Sequence, residues 1–530
     1  MNTRVSKKYY LIPLFYIGLI GALLYLQFAR EEPFHLRFGS LEVTGHIIAG
    51  QTDPPALADI SLRMSGLSFS FGRTTQVRVA LENGSSQSVS FKSYSTIPNG
   101  VQLAFSSGLS LQFLVRGEGQ DILSIIPSVP AGVQVSSVTL PYSVSKGDRT
   151  KSRSGIPVLT VTQSTSGGDE THVLSLPFQS QVEPNDNTIV LAATGGKFGP
   201  ASYGPAAKPN LDPVVYWFEQ NGDLPDPAAF SKAVKSFLDK AWSGWTSTRF
   251  DQAAGTWQMR DGSPSFSELI LTSLLSESLT RDSYGTWFAA MRNAAALNPG
   301  GLTLESAPYF GNIISSYSTY AASQAQVLLD DEQQIQQGGD AAFAIPGLLA
   351  YVTDHGSQTT AQALLARMAG AKVDTLNLQS VVNLLDDDLS AESLGYQGSD
   401  YLHAAVELIN QRVLPSIIRT GSGYFLQTEE GTADVASSVF AGSLLIKAGT
   451  RTKDSIIEAI GRELIVSALS LADNEGFIPG RLAISGDTVS GSEGFLAPEK
   501  IYPWISPQSY FPREIPLAEK VGKGVWAWAA

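Results

Sequence analysis

The sequence contains no cysteine, which excludes disulfides, thiol catalysis, thiolate metal sites and a lipid-modified N-terminal cysteine. The redox compartment stays open, since an oxidising space permits disulfides without requiring them. Histidine is scarce: His35, His46, His172, His355 and His403 are scattered with no HExxH and no close spacing, so no zinc signature is present and no metal is expected. There is no GxSxG nucleophile elbow, which argues against an α/β-hydrolase. Runs such as Gly421-Ser422-Gly423 lack the strand, helix and spacing of a dinucleotide site and read as turns, so no cofactor is implied. Basic charge is also short, with 36 Lys and Arg against 49 Asp and Glu and a formal net charge of -13. Without a local basic stripe, nucleic acid is not an expected partner.

What is present is a long, apolar chain: 530 residues, 43% hydrophobic and 16% charged, enough for two or three domains with large cores. The run YYLIPLFYIGLIGALLYLQF, Tyr9 to Phe28, carries no charge and matches the roughly 20 residues a helix needs to cross a bilayer. Arg4, Lys7 and Lys8 precede it, and Glu31 and Glu32 follow Arg30. The positive-inside rule then puts the N-terminus in the cytoplasm and the bulk of the chain outside, periplasmic or at the cell surface. The rival is a cleaved signal peptide, but the run is long for one, and Gln27, Phe28 and Ala29 make a poor cleavage site. Residues 1–30 are therefore expected to be a cytoplasmic stub and a transmembrane anchor.

From about Leu36 to Leu191 the pattern has period two. Val77, Val79 and Leu81 lead into Asn83-Gly84, and Val89 and Phe91 resume. VQLAFSSGLSLQFLV repeats the plan around Ser106-Ser107-Gly108, and IPVLTVTQS and HVLSLPFQS add further strands. Residues 31–194 thus predict an antiparallel β-sandwich. GGKFGPASYGPAAKPNLDP, rich in Gly, Pro and Ala, reads as a linker over 195–213. Residues 214–530 then place apolar residues at helical spacing, as in PAAFSKAVKSFLDKAWSGW, FSELILTSLLSESL, YLHAAVELINQRVL, DVASSVFAGSLLIKAG and SIIEAIGRELIVSALSLA. Serial helices with short links suggest stacked hairpins. The expected fold class is multidomain β plus α: a transmembrane helix, an antiparallel β-sandwich and a helical-hairpin domain.

Two stretches in the helical part share one layout of glycine, aromatic residue, polar positions, acid and glycine: GTWQMRDGS with Trp257 and Asp261, and GYFLQTEEG with Tyr424, Phe425 and Glu430. Weaker echoes occur at GFIPGRL and GFLAPEKIYPW. With these connections between helices, the last three fifths of the chain resemble the six-hairpin toroids, the (α/α) fold of many glycoside hydrolases and polysaccharide lyases, often joined to a β-sandwich. In such a ring Asp261 and Glu430 would stand about three hairpins apart, facing each other across the mouth. Two carboxylates about 6.5 to 9.5 Å apart are what inverting glycoside hydrolysis needs, one protonating the leaving oxygen and one activating water. Trp257, Tyr424 and Phe425 would line the rim and stack on sugar rings. Trp504, in the proline-rich GSEGFLAPEKIYPWISPQSYFPRE with Glu493, Glu499, Tyr502, Tyr510 and Arg513, is a further substrate-binding candidate.

Each candidate has a bland counterpart. The aromatics are as readily plugs between hairpins, the acids turn and helix-start residues, and the C-terminal stretch a strap. His403, on an expected helix, could act as a lyase base with Tyr502 as acid, although a single helical His is more often a surface or hydrogen-bonded residue. Asp386, Asp387 and Asp388, like Asp330, Asp331 and Glu332, read as solvated acid runs at helix ends, without the glycine-turned loop calcium would need. Trp526 and Trp528 in the final GVWAWAA alternate like a strand with no assigned partner. Two functions therefore stand side by side: a membrane-anchored carbohydrate-active enzyme with a glycan substrate, and a non-catalytic envelope binding or scaffold protein.

Overall fold

The computed structural model describes residues 31–48, 57–72, 75, 77–117, 121–130, 132–153, 155–177, 179–194, 196–208, 211–221, 227–240, 250–251, 256–258, 264–265, 349, 358–368, 376–393, 395–396, 400–429, 431–485 and 488–496. The chain divides into two units, Met1–Trp217 and Phe218–Ala530. The expected anchor Tyr9 to Phe28 lies outside the described residues. Among the described residues no helix is long and apolar enough to cross a membrane.

The period-two pattern of the first unit folds into three main antiparallel sheets. One has the order β1 (Glu31–Phe38), β2 (Leu41–Ile48), β3 (Leu57–Met64), β4 (Leu67–Gly72), β12 (Ser143–Val144). A second has the order β16 (Gln181–Glu183), β17 (Thr188–Thr194), β11 (Val135–Pro141), β5 (Val77–Leu81), β6 (Ser86–Val89), with β18 (Lys197–Phe198) pairing β17. The third, eight strands wide, has the order β13 (Arg149–Arg153), β14 (Ile156–Thr165), β15 (Gly168–Ser175), β19 (Ala201–Pro205), β10 (Ile122–Ser128), β9 (Ser110–Arg116), β8 (Gly100–Phe105), β7 (Phe91–Ile97).

The alternating apolar positions of all three meet in one core. Phe69 and Phe71 of β4 lie 5.7 Å, ring to ring, from Phe113 and Phe105 of the eight-stranded sheet, which packs these two sheets face to face. Both expected hairpins form, Val77–Leu81 with Ser86–Val89 and Gly100–Phe105 with Ser110–Arg116. Residues 195–213, expected as a linker, instead carry β18 and β19, and β19 pairs with β15 on one side and β10 on the other. Its alternation is held by two fully buried residues, Ala201 and Tyr203, whose burial outweighs the local Gly and Pro signal. Behind it, Arg153 donates to both carboxylate oxygens of Asp212 at 2.7 and 2.6 Å, and Asp212 accepts from the Val214 N–H at 3.0 Å.

The second unit has helices and strands interleaved. The seven α-helices among the described residues are α1 (Pro213–Asn221), which spans the unit boundary, α2 (Pro227–Lys240), α3 (Gln358–Met368), α4 (Leu378–Ser393), α5 (Tyr401–Leu408), α6 (Val435–Thr452) and α7 (Ser455–Ser470). After α5 the chain runs through a π turn, Ile409–Val413, and a 3-10 turn, Leu414–Ser416, where Pro415 denies the backbone a donor. Beside the expected helices stands a sheet that helical periodicity did not announce. Its order is β23 (Ile417–Thr420), β24 (Gly423–Glu429), β25 (Thr432–Asp434), β26 (Ile478–Ser485), β27 (Thr488–Leu496). The short strands β20 (Phe250–Asp251), β21 (Thr256–Gln258) and β22 (Pro264–Ser265) form another.

The α6–α7 hairpin is well specified. The Asp434 side chain caps α6 by accepting from the Ser437 N–H at 2.6 Å, Lys453 closes the helix at φ 59, and Asp454 caps α7 through Ile456 and Ile457 N–H. Its apolar face, with Val439, Ile446, Ile465 and Leu469, packs on Phe425, Ala433, Ile478 and Leu482 of the sheet and on Phe230, Val234 and Phe237 of α2.

Candidate functional site

Each glycine-aromatic-acid stretch contains a strand, β21 in the first and β24 in the second, where connections between helices were expected. In the first, β21 is the central strand of its small sheet, with Trp257 opposite Phe250 on one side and Ser265 on the other. The Trp257 side chain lies outside the described residues, as do Asp261 and Trp504. Asp261 falls in sequence between β21 and β22.

In the second, β24 opens at Gly423, whose φ of +126 is a conformation L side chains rarely adopt. A Cβ there would stand 2.2 Å from Ser467 Oγ. The close approach lets the Tyr424 N–H donate to Ser467 Oγ at 2.9 Å and fixes the start of the strand on α7. Gly423→Ala is expected to cost about 1–3 kcal/mol, and Ser467→Ala is not expected to restore it, because the backbone strain and the Ser467 Cβ remain. Urea titration of the single and double variants measures this.

Tyr424 is half-buried, its ring 5.3 Å from that of Phe218 at an interplanar angle of 56°. Phe425 is fully buried in the core between sheet and helices. Its expected place on a substrate rim is therefore corrected: successive strand residues face opposite ways, and Phe425 points inward as packing. Beyond Leu426 the strand bulges between Gln427 and Glu429, and Glu429 pairs with Thr432. Glu430 lies outside the described residues and falls in sequence between β24 and β25. The following Gly431 has φ +73, and its carbonyl accepts from the Ile484 N–H at 2.8 Å, which ties this connection to β26.

The remaining sequence candidates separate cleanly. His403 is exposed on α5, its Nε2 3.6 Å from the exposed Glu407 carboxylate one turn on, a surface pair. Tyr502 lies outside the described residues, as does the acid run at 330–332.

The run Asp386-Asp387-Asp388 is the largest departure from expectation. It sits within α4 rather than at its end, and Asp386 and Asp387 are buried. The sequence marks only one side of α4 as apolar, through Val381, Val382, Leu384, Leu385 and Leu389, and Asp386 and Asp387 fall on the opposite, polar side, which is buried as well.

α4 runs parallel to α6 across a polar seam. At one end Ser437 Oγ donates to Gln379 Oε1, and Gln379 Nε2 donates to Asn383 Oδ1 at 3.1 Å. At the other, Arg451 Nε stands 3.6 Å from Glu392 Oε2. Between them Ser390 Oγ donates to Asp386 Oδ1 at 3.4 Å, and the buried Lys447 ammonium acts on the Asp386 carboxyl. Burial pushes Asp386 above the usual carboxylate range despite Lys447, and lowers Lys447 despite Asp386. Asp388 is pushed up by burial to about 7. Asp387 is driven well up by burial and then by the adjacent Asp386 and Asp388.

No protein-family model matches the chain, and no curated protein matches it. Among solved structures it is similar to a polysaccharide lyase, at 10% identity over 88% of this chain and 99% of that one, with a TM-score of 0.36. It is also similar to a glycoside hydrolase family 81 enzyme from Clostridium thermocellum, at 10% identity over 94% of this chain and 77% of that one, with a TM-score of 0.20. Likeness at that level leaves the chemistry to be read from this chain's own residues.

Proposed function

We propose that this chain is an extracytoplasmic carbohydrate-active protein, held to a membrane by Tyr9 to Phe28, in which Asp261 and Glu430 act as acid and base on a glycan. The supporting observation is that one plan occurs twice: each acid falls in sequence between two paired antiparallel strands, and the first strand of each pair carries the aromatic residue, Trp257 on β21 and Tyr424 on β24. Helices of 214–530 arranged as a ring of hairpins would bring these two strand connections to a common mouth. Tyr424, half-buried and steadied by Phe218, is the ring best suited to stack on a sugar, with Trp257 and Trp504 as its counterparts.

The chemistry is that of inverting hydrolysis. One protonated carboxyl gives its proton to the glycosidic oxygen as the C–O bond breaks. The other carboxylate takes a proton from the water whose oxygen bonds to the anomeric carbon, across a gap of about 6.5 to 9.5 Å. The test is to incubate the full chain with a panel of glycans beside an Asp261→Asn, Glu430→Gln double variant. New reducing ends from the wild type and at least about 100-fold fewer from the double variant are expected. Equal release by both removes these residues from catalysis, and retention of glycan without product by both assigns the chain a non-catalytic binding role in the envelope.

A further inference from the structure

We propose that the acid run of α4 is a proton-operated latch: while Asp387 holds its proton α4 stays seated in the second unit, and loss of that proton loosens α4 from its neighbours. The proposal is independent of the glycan reading.

It rests on the surroundings of Asp387. The residue is 0% exposed, and neither carboxylate oxygen has a hydrogen-bond partner among the described residues. An ionised carboxylate in such a place is strongly unfavourable unless paired. Among the described residues, the charged groups on the elements packed against α4 do not supply a pair. On α6, Lys447 is engaged with Asp386 and Arg451 with Glu392. In the π turn, Arg412 Nη2 donates to the Leu376 carbonyl at 2.7 Å. On α5, His403 and Glu407 are exposed and face each other. The Arg367 side chain of α3 lies outside the described residues. On α4 itself the neighbouring charges are Asp386 and Asp388, which only oppose ionisation of Asp387. A neutral Asp387 is therefore the species this packing accepts, and the single change of losing its proton turns a tolerated side chain into a buried, unpaired anion.

A carboxyl whose folded value is raised binds its proton more tightly in the folded state. The stability it contributes is complete below its ordinary value of 3.8 and is lost as pH rises through the folded value. Asp388, raised to about 7, adds a loss in the same direction over the same interval. Lys447, lowered by burial, acts oppositely, its contribution being lost as pH falls. The latch is thus read from Asp387 by comparison with a residue that cannot ionise.

Hydrogen exchange of α4 amides in the full chain, corrected for the intrinsic pH dependence, provides the test between pH 5 and 8. With the strand β26 as internal reference, the opening equilibrium of α4 in the wild type is expected to rise up to about tenfold per pH unit relative to Asp387→Asn, the slope of one proton. Asp387→Leu, apolar and of similar bulk, is expected to match the Asn variant. Parallel pH profiles of wild type and either variant overturn the latch. So does a wild-type α4 whose protection relative to β26 is constant with pH, a readout that needs no variant.

Discussion

Gly461→Ala is expected to cost the second unit about 3 kcal/mol, and Gly461→Leu to leave α6 and α7 unable to pack at all. A Cβ at Gly461 would stand 2.4 Å from the Gly442 carbonyl oxygen and 2.9 Å from the Ile446 nitrogen, both backbone atoms that cannot rotate away. The crossing is tight from the other side too, since a Cβ at Gly442 would meet the Gly461 carbonyl oxygen at 2.7 Å. Moving the helices apart to admit a methyl would open gaps along the face that carries Val439, Ile446, Ile465 and Leu469. Because the same face supports Phe425 and β26, the loss propagates to the strands that flank Glu430. Circular dichroism melts of Gly461→Ala beside the control Gly167→Ala, an exposed turn where a Cβ meets only Thr165 Oγ1 at 3.8 Å, give the comparison. The control is expected to stay within about 0.5 kcal/mol of wild type.

In the first unit the largest single loss is expected from Arg153→Ala, about 3–5 kcal/mol. The Asp212 side chain is 8% exposed and Arg153 16%, so truncating the arginine strands a carboxylate away from water. Burial lowers Arg153 from its ordinary value, opposed by the attraction and hydrogen bonding of Asp212, which marks the pair as desolvated. Replacing both partners by apolar residues, Arg153→Met with Asp212→Leu, removes the stranded charge. It is expected to recover all but about 1 kcal/mol, the remainder being the cap that Asp212 gives to the Val214 N–H. Guanidinium titration of the two variants separates a charge effect from simple loss of side-chain bulk: a double variant as unstable as the single contradicts the charge account.

Both losses arise from contacts between elements, which local sequence patterns do not show. The hairpins at Asn83-Gly84 and Ser106–Gly108 were legible because apolar alternation and turn residues agree, and α6 and α7 because their apolar residues recur at clear helical spacing. β19 was not legible: ASYGP has the Gly and Pro of a linker, and only partners from β15 and β10, distant in sequence, make it a strand. GYFLQTEEG misled for a related reason. Its glycines mark the ends of a strand in a sheet threaded between helices, while Phe425, taken for a rim aromatic, is core. Asp386 to Asp388 were misread because acid runs are solvated as a rule. Nothing local marks the side that carries Asp386 and Asp387 as buried, because the elements packed on α4, chiefly α5 and α6, come from elsewhere in the chain.

The central claim is that Asp261 and Glu430 act as one acid and base pair on a glycan. Its most direct measurement is product release by the wild type, Asp261→Asn, Glu430→Gln and the double variant on the same glycan. Each single variant is predicted to lose about 100-fold or more, with the double variant no slower than the worse single, because residues that act as a unit are non-additive. A double variant that keeps wild-type turnover would contradict the claim outright.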